Sequence, residues 1–444
     1  MSVNVIILIP KKFSPRHKYV FDFIFCERFG IKYSTTTSSS QFLQKENSIK
    51  INYSGQLIDR TSCLHVPNMG LLDEQGIREL NVQTQTFNKI IRLFPTEQSG
   101  FQVNNDLFSA VFYLLSRYEE YLPFTADKHD RFTAAVSFAK QNGFHRLPLI
   151  DIWLKELSTA LKRLDKNFTF STNYTFQTSY DIDIAWAYKN KGFARGILQK
   201  VRTLFSLNYL KSKKLFEVTI GKKKDPYFKF SYFNELEKRF KTQASNYFFA
   251  FGKWGTYDKN NPTSNKNFRQ LIQNIDKTNP VGIHPSYSSN KDVSILRKEV
   301  NDLAALIEKP LKRSRQHYLK MSLPITYRNL EKLNIKEDHS MGYADDVGFR
   351  ASTAYDFFWY DVLEDRISEL RIYPFQIMEV ALFNYLKIDT AEAESICKTI
   401  NQSIRENGGT FSILWHNSSF NEVENWTMDK QLFYEKVLQI GADT

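Results

Sequence analysis

Two aspartates separated by one residue, Asp181 and Asp183, lie in the run Ser179-Tyr-Asp-Ile-Asp-Ile184. In a strand, residues two apart face the same side, so both carboxylates would leave the strand together. Such a pair repels itself unless a cation or a proton lies between the two groups. One member can then bind a metal ion while the other serves as a base. The competing reading is an exposed acidic pair in a loop. Further along, Gly282-Ile-His-Pro-Ser-Tyr-Ser288 contains a histidine followed by proline. Pro285 keeps His284 extended and suits the first position of a helical turn, which puts the imidazole where a strand gives way to a helix. The run Ser314-Arg-Gln-His-Tyr318 presents Arg315 and His317 on one face if it is a strand. A solvent-facing basic strand end after Lys312 and Arg313 is the alternative. A polar loop between Asp338 and Arg350 clusters acids, among them Asp345. Finally, Ser412-Ile-Leu-Trp-His-Asn417 places His416 directly after an apolar run, a suitable position for a general acid.

These residues need elements that bring them to one place. After residue 170 the sequence alternates short β-like runs with helical stretches. Strands are expected at 174–184, 244–251, 281–284, 316–321, 370–372 and 410–415, and Val293, Leu296, Val300, Leu303 and Ile307 form one apolar helix face. Alternating β and α units predict a mostly parallel α/β barrel or sheet, whose chemistry sits at the C-terminal strand ends. Every motif above falls at such an end. Residues 1–170 read as a mixed α/β region, with a strand at 3–9 and weaker ones at 50–53 and 63–66. Helices are expected from about Asp106, with Leu107, Phe108, Val111, Phe112 and Leu115 inside, and over 152–164.

In order and approximate spacing, the five motifs resemble the motif set of the polysaccharide deacetylases (the NodB-homology superfamily). That family shows a Thr-Phe-Asp-Asp-like strand end, then His-Ser/Thr-x-x-His, Arg-x-Pro-Tyr, an acidic loop and Leu-x-His. The resemblance implies a distorted (β/α) barrel over 171–444, preceded by a smaller mixed α/β accessory domain over 1–170 to which Ser116–Tyr121 and Arg131-Phe132 would belong. It also implies roles. Asp181 would be the general base, Arg315 its orienting partner, Tyr318 an oxyanion donor through its backbone N–H, and His416 the general acid. Asp183 and His284 would be metal ligands, with Tyr287, Arg350 and Trp415 as substrate contacts. Amide hydrolysis asks for this set: a divalent metal, with zinc expected, a base for the water proton and an acid for the departing nitrogen. This chain departs from the family at two points. Ser288 stands where the family has its second histidine, and the acidic pair is spaced Asp-x-Asp. Catalytic zinc usually has three protein ligands, so His317, standing where the family has proline, is the expected third. The implied activity is removal of N-acetyl groups from amino sugars in an oligosaccharide or cell-envelope glycan precursor. An inactive deacetylase-like barrel acting as a glycan-binding or scaffold module is the alternative.

The composition, 42% apolar and 15% aromatic, argues against wholesale disorder. Cys26, Cys63 and Cys397 form neither a disulfide framework nor a zinc-ribbon spacing. The N-terminus reads as a strand rather than a signal peptide, and no run approaches the roughly 18–20 apolar residues of a membrane span, so the expected compartment is the cytoplasm. The net charge of +12 is concentrated: residues 189–224 hold eleven Lys/Arg and one acid, a local +10 that leaves +2 elsewhere. Within this basic insertion (187–226), Phe193, Ile197, Val201, Leu204 and Phe205 alternate with basic residues. That pattern suits either an ordinary solvated helix or peripheral contact with an anionic membrane surface. No nucleic acid partner is expected, because the basic segment lacks the aromatic-plus-basic pattern of known modules.

Overall fold

A computed structural model describes residues 3–58, 63–97, 102–192, 196–197, 209–421 and 426–443. Four parallel strands form the first sheet: β1 (Asn4–Leu8), β2 (Lys32–Thr36), β3 (Ile49–Asn52) and β4 (Leu64–His65), in the order β2-β1-β3-β4. β1 reads as a continuous apolar run because both of its faces are covered. Val5 and Ile7 face the main core with Phe21 and Phe25, while Ile6 and Leu8 pack on Phe42 and Cys63. An antiparallel hairpin follows, β5 (Thr84–Phe87) and β6 (Ile90–Leu93), turned by Asn88 and Lys89, both at positive φ. The helix expected from Asp106 spans Leu107–Leu115, with the Asp106 carboxylate capping Ser109 N–H, and all nine residues are buried. A second helix runs from Leu149 to Leu164.

The second sheet has nine strands: β7 (Tyr174–Ile182), β8 (Asn246–Ala250), β9 (Val281–His284), β10 (Arg313–Ser314), β11 (Glu337–Asp338), β12 (Phe357–Asp361), β13 (Arg366–Ile372), β14 (Ile377–Met378) and β15 (Gly409–His416). Their order is β12-β13-β11-β10-β9-β8-β7-β15-β14, parallel throughout except for the β12–β13 pair. This is sequential winding, as in a barrel. Among the described residues, however, no ladder joins β14 to β13 or β12, so the expected barrel is an open sheet. The gap falls where Tyr373–Gln376 crosses from one side to the other. Tyr373 N–H bonds Asp338 O, Phe375 N–H bonds Met341 O, and Gln376 N–H bonds Ser412 O, with Pro374 offering no donor.

The strand expected over 316–321 is also corrected. β10 ends at Ser314, and the chain then folds into a tight turn over His317–Leu319, with Tyr318 and Leu319 at φ 60° and 52°. The apolar helix expected over 193–205 lies almost wholly outside the described residues. What is described of the basic insertion has its two ends tied together. The Asp225 carboxylate accepts from the backbone N–H groups of Ala187, Tyr188 and Lys189 at 2.7–3.0 Å. No helix among the described residues is long and apolar enough to cross a membrane. The three cysteines carry no disulfide.

The four-stranded sheet precedes residue 170 and the nine-stranded sheet follows it, yet one apolar core runs through both. Across the seam, Tyr19 OH donates to Phe358 O at 2.8 Å, and the Asp151 carboxylate accepts from Thr353 Oγ1 and Ala354 N–H at 2.6 and 2.7 Å. A buried ion network also crosses it. Glu120 takes two hydrogen bonds from Arg350, at 2.9 and 2.6 Å, and one from Arg117 at 2.8 Å. Burial opposes its charge, but the two guanidiniums hold the Glu120 carboxyl below its usual range. Arg350 is thus a seam residue, not the expected substrate contact. It is 1% exposed and directs its donors to Glu120 and to Gly342 O.

Removing one partner of a buried pair leaves uncompensated charge, which typically costs about 3–5 kcal/mol. Glu120→Ala takes from Arg350 its carboxylate partner and leaves Arg117 with Glu119 alone. A loss of at least that size in urea unfolding is expected; a loss under about 1 kcal/mol would mean that the network contributes little.

Candidate active site

The C-terminal ends of β7, β9 and β15, with the turn after β10, surround a cavity of about 330 Å³. Its walls include Asp181, Asp183, His284, His317, Tyr318 and His416. Two-residue alternation along β7 sends both aspartates to this side, as the sequence predicts. His284 closes β9 and His416 closes β15.

Asp183, His284 and His317 converge. The Asp183 Oδ1 atom lies 3.3 Å from His284 Nε2 and 3.5 Å from His317 Nε2, and the three ligand atoms all lie within 4.8 Å of one another. Tetrahedral ligands about 2.0–2.1 Å from one ion stand about 3.3 Å apart, so two of the separations already suit a metal. Two of the atoms, Asp183 Oδ1 and His284 Nε2, are buried without a hydrogen-bond partner. Each imidazole is aimed by its other nitrogen. His284 Nδ1–H donates to Arg315 O at 2.6 Å, and His317 Nδ1–H donates to Asp258 Oδ1 at 2.9 Å, which turns both Nε2 atoms toward Asp183. Electrostatics agrees with this arrangement. Burial alone would push the Asp183 carboxyl up, but His317 and His284 hold it well below the usual carboxylate range. Burial likewise opposes charge on His317, yet Asp183 and Asp258 push it up to about 9. The same set could hold a metal cation, which would displace the His317 proton.

Asp181 takes a different partner. Arg315 donates from Nη1 to Asp181 Oδ1 at 3.0 Å and to Ser179 Oγ at 2.9 Å, and from Nε to His339 O at 2.9 Å. The guanidinium is fully buried, with the Phe248 ring 4.3 Å and the Phe375 ring 5.5 Å away. Two glycines make room for those rings, since a Cβ on Gly282 would collide with Phe248 and one on Gly342 with Phe375. On the opposite wall, His416 Nδ1–H donates to Glu379 Oε1 at 2.8 Å. Burial works against charge on His416, but Glu379 and then Asp183 and Asp181 push it up to about 10.

Of the remaining expected contacts, Tyr318 lines the cavity with its ring 4.7 Å from His317. Tyr287 stands behind that wall, its ring tilted against Tyr257 at 4.3 Å, and its backbone N–H donates to Asp258. Trp415 is turned away. Alternation that points His416 at the cavity sends Trp415 into the core against Tyr434 at 4.9 Å. Ser288 is exposed, bonded to Ser286, and takes no part in the cluster. The three acids of the 338–350 loop have partners elsewhere than His416: Asp338 accepts from Ser314 and Ser340, Asp345 from Ala134 N–H, and Asp346 from Lys140 and Arg146. Three functional groups escape a reading of the sequence. Glu379 has a signal, a lone acid inside the apolar run 375–383. Asp258 sits in a polar loop with no pattern around it. Arg131 also lines the cavity, although the sequence suggests no chemistry for it.

Residues 5–166 match a family of unknown function (DUF7033). No curated protein matches the chain. Among solved structures, the chain is similar to a candidate polysaccharide deacetylase from Mycobacterium smegmatis, at 11% identity and a TM-score of 0.39, over 62% of this chain and 85% of that one. It is also similar to a CE4 family pseudoenzyme from Bacillus anthracis, at 8% identity and a TM-score of 0.26, over 59% of this chain and 62% of that one. At these scores the functional reading rests on the side chains alone.

Carboxylates that aim a ligating histidine typically account for about 10–100-fold in metal affinity. Asp258→Asn is therefore expected to weaken zinc binding by that factor, measured by competition with a chromophoric chelator. Unchanged affinity would remove Asp258 from the site.

Proposed function

We propose that the protein is a metal-dependent hydrolase that removes N-acetyl groups from amino sugars within an oligosaccharide or a cell-envelope glycan precursor. The single observation that carries this reading is the three-part arrangement around one cavity. A ligand set (Asp183, His284, His317) stands between an arginine-held carboxylate (Asp181) and a carboxylate-held imidazole (His416). Metal-assisted amide hydrolysis uses these three functions together.

A divalent ion, with zinc favoured by the nitrogen and oxygen donors, would supply the Lewis acidity that polarises a carbonyl and acidifies water. The protein's own groups do the rest. Arg315 fixes one oxygen of Asp181, leaving the other, 3.8 Å from His284 Nε2, to accept the proton of the attacking water. His416, kept protonated by Glu379, delivers a proton to the departing nitrogen. Around the mouth, Tyr257, Tyr318 and Tyr385 are each about two-fifths exposed, and their rings offer apolar surface for the face of a sugar. The inactive-module alternative drew its force from Ser288, and a three-residue ligand set formed without Ser288 weighs against it.

The test is deacetylation of N-acetylated chito-oligosaccharides by the zinc-loaded protein. Asp181→Asn is expected to keep its zinc and to lose at least about 100-fold in kcat. His416 must be protonated to act, so activity falls as pH rises through its pKa. Replacing Glu379 by Gln removes the main group raising that pKa, and the alkaline limb is expected about 1–3 pH units lower. Full activity in Asp181→Asn would contradict the assignment of the base, and an unmoved limb that of the acid.

A further inference from the structure

Arg131 belongs to the region before residue 170, yet it reaches the cavity and touches both of its sides. Its side chain is 4% exposed and is anchored by Asp127 through Nε and Nη2 at 2.8 and 2.7 Å. Asp127 in turn accepts from the backbone N–H groups of His129 and Arg131, which makes residues 127–131 a closed loop. From this anchor Arg131 Nη1 donates to Tyr318 O at 2.9 Å, and Nη2 donates to Tyr385 OH at 3.0 Å.

Both targets matter. Tyr318 and Leu319 are bulky residues held side by side in the left-handed region, a costly backbone that persists only where its surroundings over-determine it. The surroundings are largely this loop. Besides the Arg131 bond, Lys320 Nζ donates to His129 O at 2.7 Å and to Asp130 Oδ2 at 2.6 Å. The turn so held carries His317, one of the three candidate ligands. Tyr385, on the other side, ends the short Ala381–Tyr385 helix, which starts two residues after Glu379, the partner of His416.

We propose that Arg131 is a positioning residue that sets the spacing between the metal-ligand side and the acid side of the cavity. The proposal rests on the hydrolase reading above and extends it by giving the region that matches a family of unknown function a task in the site. Arg131 needs no contact with substrate for this. Its guanidinium acts as a strut, and its planar fork meets the two targets and the anchor simultaneously, which a lysine cannot do.

The experiment compares wild type, Arg131→Ala and Arg131→Lys as full chains loaded with cobalt(II). The visible spectrum of the bound ion reports on ligand placement without any turnover. Arg131→Ala is expected to bind cobalt but with a changed spectrum, and to lose about 10–100-fold in kcat with KM moved by less than about threefold. Low millimolar guanidinium is expected to restore part of both, and Arg131→Lys to restore little. A spectrum and a kcat equal to wild type in Arg131→Ala would overturn the proposal. If Arg131→Ala does not fold, Arg131→Lys and Tyr385→Phe, which cuts the strut at one end, decide by the same two readouts. A wild type that binds cobalt without hydrolysing any N-acetylated oligosaccharide would sink the hydrolase reading, while the spectra would still decide the role of Arg131.

Discussion

Two carboxylates, two positions apart at the end of β7, share one cavity, Asp181 buried and Asp183 half-buried, and keeping like charges this close is costly. Most of the site is a response to that cost. Anions this close are tenable only if cations or donors meet them. One is met by Arg315, itself buried and fixed by three acceptors. The other faces two imidazoles. The resulting asymmetry separates the roles proposed for them: the carboxylate held by Arg315 is the proton acceptor, and the one facing imidazoles is the candidate ion ligand.

Each imidazole then needs a second group to settle which nitrogen carries the proton. Three different partners do this: the Arg315 carbonyl for His284, Asp258 for His317 and Glu379 for His416. The first two turn Nε2 inward toward Asp183, and the third raises the proton affinity of His416. The two carboxylates, Asp258 and Glu379, also favour the imidazolium form of the rings they hold, His317 and His416. The site thus needs its supporting carboxylates as much as the groups that face the cavity. The same logic extends to the region before residue 170, whose Asp127–Arg131 loop holds the turn carrying His317.

Strand-end chemistry is legible in the sequence wherever alternation governs it. Asp181, Asp183, His284 and His416 can be placed because each ends or closely succeeds a strand of four residues or more. Alternation also fixes Trp415 away from the cavity, against the contact role that the family resemblance implies for it. The turn at His317 is not legible. β10 is only two residues long, and the path of the chain beyond it is decided by Arg131, Lys320 and Asp130, in contacts that reach nearly two hundred residues back along the chain. Arg350, expected as a substrate contact, is instead paired inside the fold. Its partner in the fold, Glu120, lies 230 residues earlier. Asp258 has no local signal for the same reason, since only the tertiary fold brings it to His317.

The central claim is that His317 completes a set of three protein ligands in place of the residue at position 288. Zinc K-edge X-ray absorption on the zinc-loaded wild type tests it most directly, because multiple scattering counts the imidazoles bound to the ion. The account predicts two imidazoles with oxygen donors at about 2.0–2.1 Å, falling to one imidazole in His317→Ala. One imidazole in the wild type, or two in both proteins, would contradict it.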